Sequence, residues 1–323
     1  MNNLERLGNH ISIPLRADDE GYFGRECPKK DCEGYFKVVV GTGLKDTSQC
    51  YCPYCGYTGD NDEFYTKEQL EYARSVAMRE IMDAVTKDFK KMEFDVKPKG
   101  SFGIGMSLKV KEGPRHPIHW YREKALETYV ECSNCTLKYA VYGAFAFCPD
   151  CGEHNSLQIL EKSLEIAIKT LQLSEASSDN DIKSRLIENA LEDCVSSFDG
   201  FGRSLCTANA NKSTNSKSIE KISFQNLEAA ARKTKEVFGL DLKSLLEDSE
   251  WNALIVGFQK RHLISHKMGI IDEEYLNKTA DHTAILGRKI SITAQEISLV
   301  GELIVKLAKA FYGNLNKSLT PSK

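Results

Sequence analysis

The chain has 323 residues, of which 41% are hydrophobic and 28% charged, and its formal net charge at pH 7 is −3. These values exclude a disordered, collagen-like or membrane-spanning chain, because such chains are far more polar or contain an apolar run of roughly 20 residues. At about 100–200 residues per domain, the length predicts two domains or more. The amino terminus has no apolar signal core, so we expect a cytoplasmic protein with reduced thiols and no membrane partner.

The first feature along the chain is a set of four cysteines. Its members are Cys27, Cys32, Cys52 and Cys55. Zinc takes four thiolates in a tetrahedron, and a C-x2-C turn such as CPYCG at 52–56 supplies two of them. The other pair is less regular, because CPKKDC is C-x4-C and Cys50 is an alternative ligand to Cys52. We assign Cys52 as the ligand and leave Cys50 free.

The next element is a predicted helix over residues 66–92, inserted between two sets of cysteines. Thr66 stands in N-cap position ahead of Glu68 and Gln69. Its apolar residues recur at helical spacing and predict an amphipathic helix. They are Leu70, Ala73, Ala77, Ile81, Ala84, Val85 and Phe89.

Residues 97–124 form a basic segment, with seven Lys or Arg against two Glu. Three aromatic residues, Phe102, Trp120 and Tyr121, lie among these charges. Cations can contact phosphates and aromatic rings can stack on bases, so this composition suits nucleic-acid binding. The alternative is a solvated pair of strands with ordinary surface charge.

The second set of cysteines follows the basic segment. Its members are Cys132, Cys135, Cys148 and Cys151. Strand-like stretches rich in Val, Tyr and Phe precede both C-x2-C turns, which is typical of a zinc ribbon. We therefore predict a zinc-binding module over residues 1–155, with ribbons at 27–55 and 132–151 and two structural zinc ions. His154, directly after the last turn, is expected at the surface.

Beyond residue 155 cysteines become rare and long helical patterns begin. We predict helices over 157–173, 182–206, 224–238, 242–268 and 294–312. The polar run 208–218 is expected to be a loop. The prediction is therefore an α+β multidomain chain, with a C-terminal all-α bundle over 156–316 and a tail over 317–323.

One hexapeptide in this bundle, RHLISH, contains residue types that suit proton transfer and anion binding. His262 and His266 lie four residues apart and therefore on one face of a helix. Residues 251–271 contain no acid but contain Arg261 and two lysines, which predicts a local anion-binding surface. In the alternative interpretation, the histidines only satisfy groups near a helix end and Arg261 is a surface cation.

The R-x4-H pattern in a bundle of this size resembles the HEPN superfamily of helical-bundle ribonucleases. The stretches LEDCVSSFDGFGR and KRHLISHKMGIIDEEYL, with a closing helix after them, are similar to the HEPN pattern. The resemblance covers roughly residues 157–315. It implies an endoribonuclease that cleaves RNA without a metal, through attack of the 2′-hydroxyl on the neighbouring phosphorus. The products would be 2′,3′-cyclic phosphate and 5′-hydroxyl ends.

The resemblance also implies roles, partners and a setting. His266 would transfer protons, Arg261 would stabilise the phosphorane, and His262 would orient the substrate or carry a second proton. HEPN domains typically pair, so a homodimer with a composite site is implied. The implied setting is a toxin or a phage-defence effector, with an antitoxin or regulatory protein as a further partner.

Two other functions are compatible with the same residues. One is a non-catalytic nucleic-acid-binding protein, in which the ribbons and the basic segment bind the ligand. The other is an assembly module whose helices bind a partner, for instance a nucleotidyltransferase that modifies and silences the bundle.

Overall fold

The fold of the chain, taken from a computed structural model, consists of two compact units. The described residues are 3–8, 10–45, 47–97, 106–279 and 281–317. The N-terminal unit comprises Met1–Gly143 and Cys148–Gly152, and the C-terminal unit comprises Ala144–Phe147 and Glu153–Lys323. The chain combines helices with small antiparallel sheets, in agreement with the predicted mixture of α and β structure.

The N-terminal unit holds all the strands of the described residues. They are β1 (Tyr22–Glu26), β2 (Tyr35–Val39), β3 (Gln49–Tyr51), β4 (Thr58–Asp60), β5 (Phe94–Val96), β6 (Met106–Leu108), β7 (Thr128–Glu131) and β8 (Lys138–Val141). Its helices are α1 (Asn3–Leu7) and α2 (Lys67–Lys90), with a 3-10 turn at Asn61–Phe64.

The two predicted ribbons share one sheet. The hairpins β1–β2 and β7–β8 join through antiparallel pairing of β2 with β8, which gives the strand order β1-β2-β8-β7. Lys37 lies opposite Ala140 and Val38 opposite Tyr139. Strands β3–β4 and β5–β6 form separate two-stranded sheets. Both cysteine sets are therefore attached to the same sheet, which local sequence patterns do not reveal.

Helix α2 lies within the predicted range, and the Thr66 side chain caps it by accepting a hydrogen bond from the amide of Gln69 at 3.1 Å. The predicted apolar face is largely open to solvent, since Leu70, Ile81 and Phe89 are exposed. The residues that the helix buries are instead mostly polar or aromatic. They are Gln69, Tyr72, Ser75 and Ala84.

Residues 116–123, which we name the strap, explain why α2 buries a polar face. The Arg79 guanidinium donates from Nε to the carbonyl of His116 at 2.7 Å. The amide of His119 donates to the Ser75 hydroxyl at 3.0 Å. Because the strap has an irregular backbone, its amides and carbonyls need polar partners, and α2 provides them.

The C-terminal unit contains only helices among its named elements in the described residues. They are α3 (Ser156–Ala176), α4 (Asn180–Ala208), α5 (Ser216–Ile219), α6 (Leu227–Phe238), α7 (Asp248–Lys267), α8 (Glu273–Thr279) and α9 (Ala294–Lys317). The run 208–218 was expected to be a loop, but it includes a 3-10 turn and the start of α5. Of the predicted tail, residues 318–323 lie outside the described residues. Within the described ranges, no helix combines the length and the apolar character needed to cross a membrane.

One large apolar core fills the C-terminal unit, with side chains from α3, α4, α6, α7 and α9. Phe198 of α4 makes edge-to-face contacts with Phe224 and Phe258, with ring centroids 5.7 and 6.1 Å apart. At Gly202 an added Cβ would lie 2.5 Å from the Phe224 ring, so this close approach requires glycine. The core fixes α4 against α7, where RHLISH lies.

The short segment Ala144–Phe147 belongs to the C-terminal unit because the start of α3 holds it. The Asn155 side chain accepts a hydrogen bond from the amide of Ala146 at 2.8 Å. His154 was expected at the surface, but its ring packs edge-on against Phe147 at 4.8 Å. Burial lowers the pKa of His154 to about 4, so this histidine is a neutral packing residue.

Candidate functional site

The first tetra-cysteine cluster is formed by residues that follow β1 and β3. Its members are Cys27, Cys32, Cys52 and Cys55, whose sulfur atoms all lie within 4.8 Å of one another. The Sγ atoms of Cys27 and Cys55 are 3.7 Å apart, as are those of Cys32 and Cys52. Cys50 is buried outside this cluster, and its Sγ lies 3.8 Å from the carbonyl oxygen of Tyr51.

The second cluster is formed by residues that follow β7 and β8. Its members are Cys132, Cys135, Cys148 and Cys151, again with all sulfur atoms within 4.8 Å. The Sγ atoms of Cys132 and Cys151 are 3.7 Å apart, and those of Cys135 and Cys148 are 3.5 Å apart.

The same backbone turn closes all four cysteine pairs. The residue directly after the second cysteine has a left-handed backbone, with φ between 44° and 69°. These residues are Glu33, Gly56, Thr136 and Gly152. The amide of each donates to the carbonyl four residues earlier. In the C-x4-C pair this turn runs from Lys29 to Glu33, so the two extra residues do not prevent it from forming.

Both clusters have the dimensions of a tetrahedral zinc site. Four sulfur atoms bound to zinc at about 2.3 Å lie about 3.8 Å from one another. The observed separations of 3.5–3.7 Å are close to that value. Two tetra-cysteine groups of this chain could therefore hold metal ions.

The thiols of these clusters have perturbed acidities. Burial raises the pKa of Cys27 to about 11 and that of Cys135 to about 12. Burial also raises the pKa of Cys52 and Cys148. A metal ion binds the thiolate form, so binding must release protons and must weaken as the pH falls.

The second feature is a histidine pair, His262 and His266, in the last two turns of α7. Their ring centroids are 5.0 Å apart. His266 is exposed and His262 is half-buried. The pKa of His262 is lowered by burial and by the positive charges of His266 and Lys267. Since burial and nearby positive charge disfavour a charge on the His262 ring, this imidazole favours its neutral form.

Arg261 points away from solvent and toward α4. Its Nε and Nη2 atoms donate to the two carboxylate oxygens of Glu192 at 2.8 and 2.7 Å. The Ser265 hydroxyl donates to the same carboxylate at 2.7 Å. Only 7% of Arg261 is exposed. The expected contact of Arg261 with phosphate stays a prediction, and it requires the guanidinium to leave Glu192.

Residues 251–271 contain no acidic residue, but in the fold acidic residues from other parts of the chain contact them. Lys260 is buried and donates to the Glu296 carboxylate at 2.6 Å. Lys267 forms an ion pair with Asp272. With the Arg261 pair, every lysine and arginine of this stretch has a carboxylate partner from outside it. The sequence therefore overstates the anion-binding capacity of this surface.

Asp199 and Arg203 lie on α4 within the stretch that resembles HEPN. Asp199 is buried and accepts hydrogen bonds from the amide of Phe224 at 2.5 Å and from Arg203 Nε at 3.0 Å. This places Asp199 in the structural connection between α4 and the segment before α6, rather than beside the histidine pair.

The residue that sequence reasoning missed is Glu192. It precedes Arg261 by 69 residues, so no local spacing connects them. Two features could have suggested it, namely its position beside the buried Leu191 on α4 and its place in the stretch LEDCVSSFDGFGR.

Comparison with known proteins adds no family to these observations. The chain matches none of the protein-family models, curated proteins or solved structures with which it was compared. The protein is therefore described by its fold and site alone. It consists of two units, with two tetra-cysteine clusters and a helical unit that carries a histidine pair.

We expect the Arg261–Glu192 pair to contribute to the stability of the C-terminal unit. Arg261→Met leaves a half-buried carboxylate without its partner, so the free energy of unfolding should fall by about 1.5–3 kcal/mol. Burial raises the pKa of Glu192, but the hydrogen bonds from Arg261 and Ser265 outweigh it and leave the pKa below its usual value of 4.5. The stabilisation is therefore present above about pH 4.5 and is lost as the pH falls further.

Urea unfolding at pH 7 and pH 4 measures both effects. Arg232→Met on α6 is the control, because Arg232 is exposed and makes no ion pair within the described part of the chain. It should change stability by less than about 0.5 kcal/mol. Equal stabilities for wild type and Arg261→Met at pH 7 would contradict the role of the pair.

Proposed function

We propose that the chain is an endoribonuclease of HEPN type that cleaves RNA through attack of the 2′-hydroxyl on the neighbouring phosphorus. The observation that carries this proposal is the His262–His266 pair at 5.0 Å in the last turns of α7. The helical bundle around it and the resemblance of the RHLISH region support the same function.

In this proposal the two histidines divide the proton transfers. His262 has a lowered pKa and is neutral at pH 7, so it accepts the proton of the 2′-hydroxyl. The 2′-oxygen then bonds to phosphorus, and the bond from phosphorus to the 5′-oxygen breaks. His266 donates a proton to the departing 5′-oxygen. The products are a 2′,3′-cyclic phosphate and a 5′-hydroxyl, which balances the atoms and protons.

Arg261 acts in this proposal as a positioning residue. Its two hydrogen bonds to Glu192 hold α7 against α4, and its low exposure leaves little of the guanidinium for phosphate. Glu192→Gln distinguishes this role from direct contact. A positioning role predicts unchanged or lower cleavage, because the pair is weakened. Faster cleavage would show that Glu192 holds Arg261 back from the substrate.

Two further parts of the proposal concern metal and assembly. The clusters would bind zinc structurally, since four thiolates fill a tetrahedron and leave no open position for a substrate. The homodimer, in which two histidine pairs would form a composite site, rests on the resemblance. Light scattering of the pure protein tests this part, and an active monomer would contradict it. The toxin or defence setting rests on the resemblance alone.

The function is tested by incubating zinc-loaded protein with a mixed RNA pool in buffer freed of other divalent metals. Wild type should cleave the RNA, and His266→Ala should cleave it far more slowly. His282→Ala provides the matched control, because His282 is an exposed histidine outside RHLISH. Equal amounts of intact RNA with wild type and His266→Ala would reject the nuclease.

A second candidate function is nucleic-acid binding without cleavage. The observation that favours it is the pairing of Lys260, Arg261 and Lys267 with carboxylates, which leaves little positive charge for a phosphorane. In that case RNA would bind and stay intact in the same experiment.

A further inference from the structure

A cavity of about 600 Å³ lies in the N-terminal unit, between the strap and the segment before β1. Three aromatic residues and two arginines contribute to its lining. They are Tyr72, Trp120, Tyr121, Arg16 and Arg122. The cavity is separate from both cysteine clusters and from the histidine pair, and neither the zinc sites nor the proposed cleavage uses it.

Trp120 is the most unusual residue of this cavity, because 70% of it is exposed. Its ring lies 5.4 Å from that of Tyr72, at an angle of 38°. The hydrogen bond from the amide of His119 to Ser75 holds the backbone next to it. The structure therefore fixes the position of the indole without burying it, and an exposed planar surface remains for a ligand.

Two cations also line the cavity. Arg16 and Arg122 are exposed, and neither forms an ion pair in the described part of the chain. The backbone of Arg16 is held in place, since its amide donates to the Tyr121 hydroxyl at 3.0 Å. Two available guanidinium groups beside an open indole match a flat aromatic ligand that carries negative charge.

Three carboxylates line the same cavity, but two of them are already bound. Asp18 accepts a hydrogen bond from Lys37 at 2.7 Å. Glu123 accepts one from the Gln69 side chain at 3.1 Å and another from a tyrosine hydroxyl. Asp19 is the remaining carboxylate. With Lys37 included, three cations balance the three carboxylates, so a phosphate would be held by direct contact with the two guanidinium groups and not by a net positive charge of the cavity.

We propose that this cavity binds single-stranded nucleic acid, with one base stacked on Trp120 and the adjoining phosphates on Arg16 and Arg122. Base stacking on an aromatic ring and phosphate contact with arginine are the interactions by which single strands are held. The inference rests on the proposed function only in that the site would hold RNA for the C-terminal unit. The test measures binding of an oligonucleotide that cannot be cleaved. A failure to bind would therefore reject this site and leave the proposed nuclease standing, and a failure to cleave would do the reverse.

The test is titration of the full-length protein with oligouridylate of about 12 nucleotides that carries 2′-O-methyl groups and cannot be cleaved by 2′-hydroxyl attack. The chain has two tryptophans, and Trp251 is buried, so the fluorescence of Trp120 reports the ligand. We expect Trp120 quenching that saturates in wild type. Because the Trp120 variants lack this indole, the affinities of wild type and of all variants are compared by the fluorescence anisotropy of a fluorescein label on the oligonucleotide. Trp120→Ala should lower the affinity roughly 5- to 150-fold, whereas Trp120→Phe should largely retain it.

The arginines are tested by salt dependence. Arg16→Gln with Arg122→Gln should reduce the slope of log affinity against log salt by about 1.4, which corresponds to two phosphate contacts. Arg232→Gln is the matched control and should leave the slope unchanged. Oligodeoxythymidylate of the same length shows whether the site takes DNA as well as RNA, and binding of either supports it. Unchanged affinity for Trp120→Ala, or quenching by a proline-rich peptide and not by oligonucleotides, would overturn the proposal.

Discussion

Cys52→Ser should reduce the zinc content from two ions per chain to one and should unfold the region around β1 to β4. Cys52 is a member of the first cluster, and its loss leaves three sulfur ligands. Binding of structural zinc contributes about 10–16 kcal/mol in small zinc domains, so most of the local stability should be lost. Metal analysis and hydrogen exchange of the N-terminal unit measure the two effects.

Cys50→Ser is the matched control for this change. Cys50 is buried two residues away from Cys52, but it lies outside both clusters. The Cys50→Ser variant should retain two zinc ions per chain. A loss of one zinc ion in Cys50→Ser, with two retained in Cys52→Ser, would reverse the assignment of the ligand.

The second large effect is expected for the histidine pair. His266→Ala and His262→Ala should each lower the cleavage rate about 10²- to 10⁴-fold, the usual contribution of a general acid or base. The double variant should be little worse than either single variant, because residues that act as a unit are not additive. Single-turnover cleavage of a labelled RNA measures these rates. Losses that add up in the double variant would contradict the joint action of the two histidines in one step.

The pH dependence provides a further check of the same pair. Burial and then the charges of His266 and Lys267 lower the pKa of His262 below 6.5. A base must be unprotonated to act, so on the acid side of the profile the rate should rise with pH through this lowered pKa. Residual cleavage by His262→Ala should lack this rise. If the rise persists, another group is the base.

Local patterns were sufficient to predict the long helices and the grouping of the cysteines. They missed α5 and α8, and the helix predicted over 242–268 begins only at Asp248, after a 3-10 turn at Leu242–Leu245. The eight clustered cysteines are spaced by two or four residues within each pair, so the turn geometry is encoded in a few residues. The left-handed backbones at Glu33 and Thr136 were not predictable, because neither residue is a glycine.

The parts that escaped prediction depend on partners far along the chain. The pairing of β2 with β8 joins strands about one hundred residues apart. The buried face of α2 is set by hydrogen bonds to the strap, so its apolar spacing was misleading. The environment of Arg261 also depends on a distant partner, the Glu192 carboxylate. The sequence shows Arg261 and the charges of its neighbours along the chain, whereas the carboxylate that pairs with it is visible only in the fold.

The most direct test of the proposed nuclease is mass spectrometry of the ends that it makes. A defined RNA oligonucleotide should yield 2′,3′-cyclic phosphate and 5′-hydroxyl ends with wild type, and the same oligonucleotide with a single 2′-deoxy residue at the cleaved position should stay intact there. His266→Ala should yield far less of both ends in the same time. Cleavage at the 2′-deoxy residue, or 3′-hydroxyl ends on the products, would contradict attack by the 2′-hydroxyl.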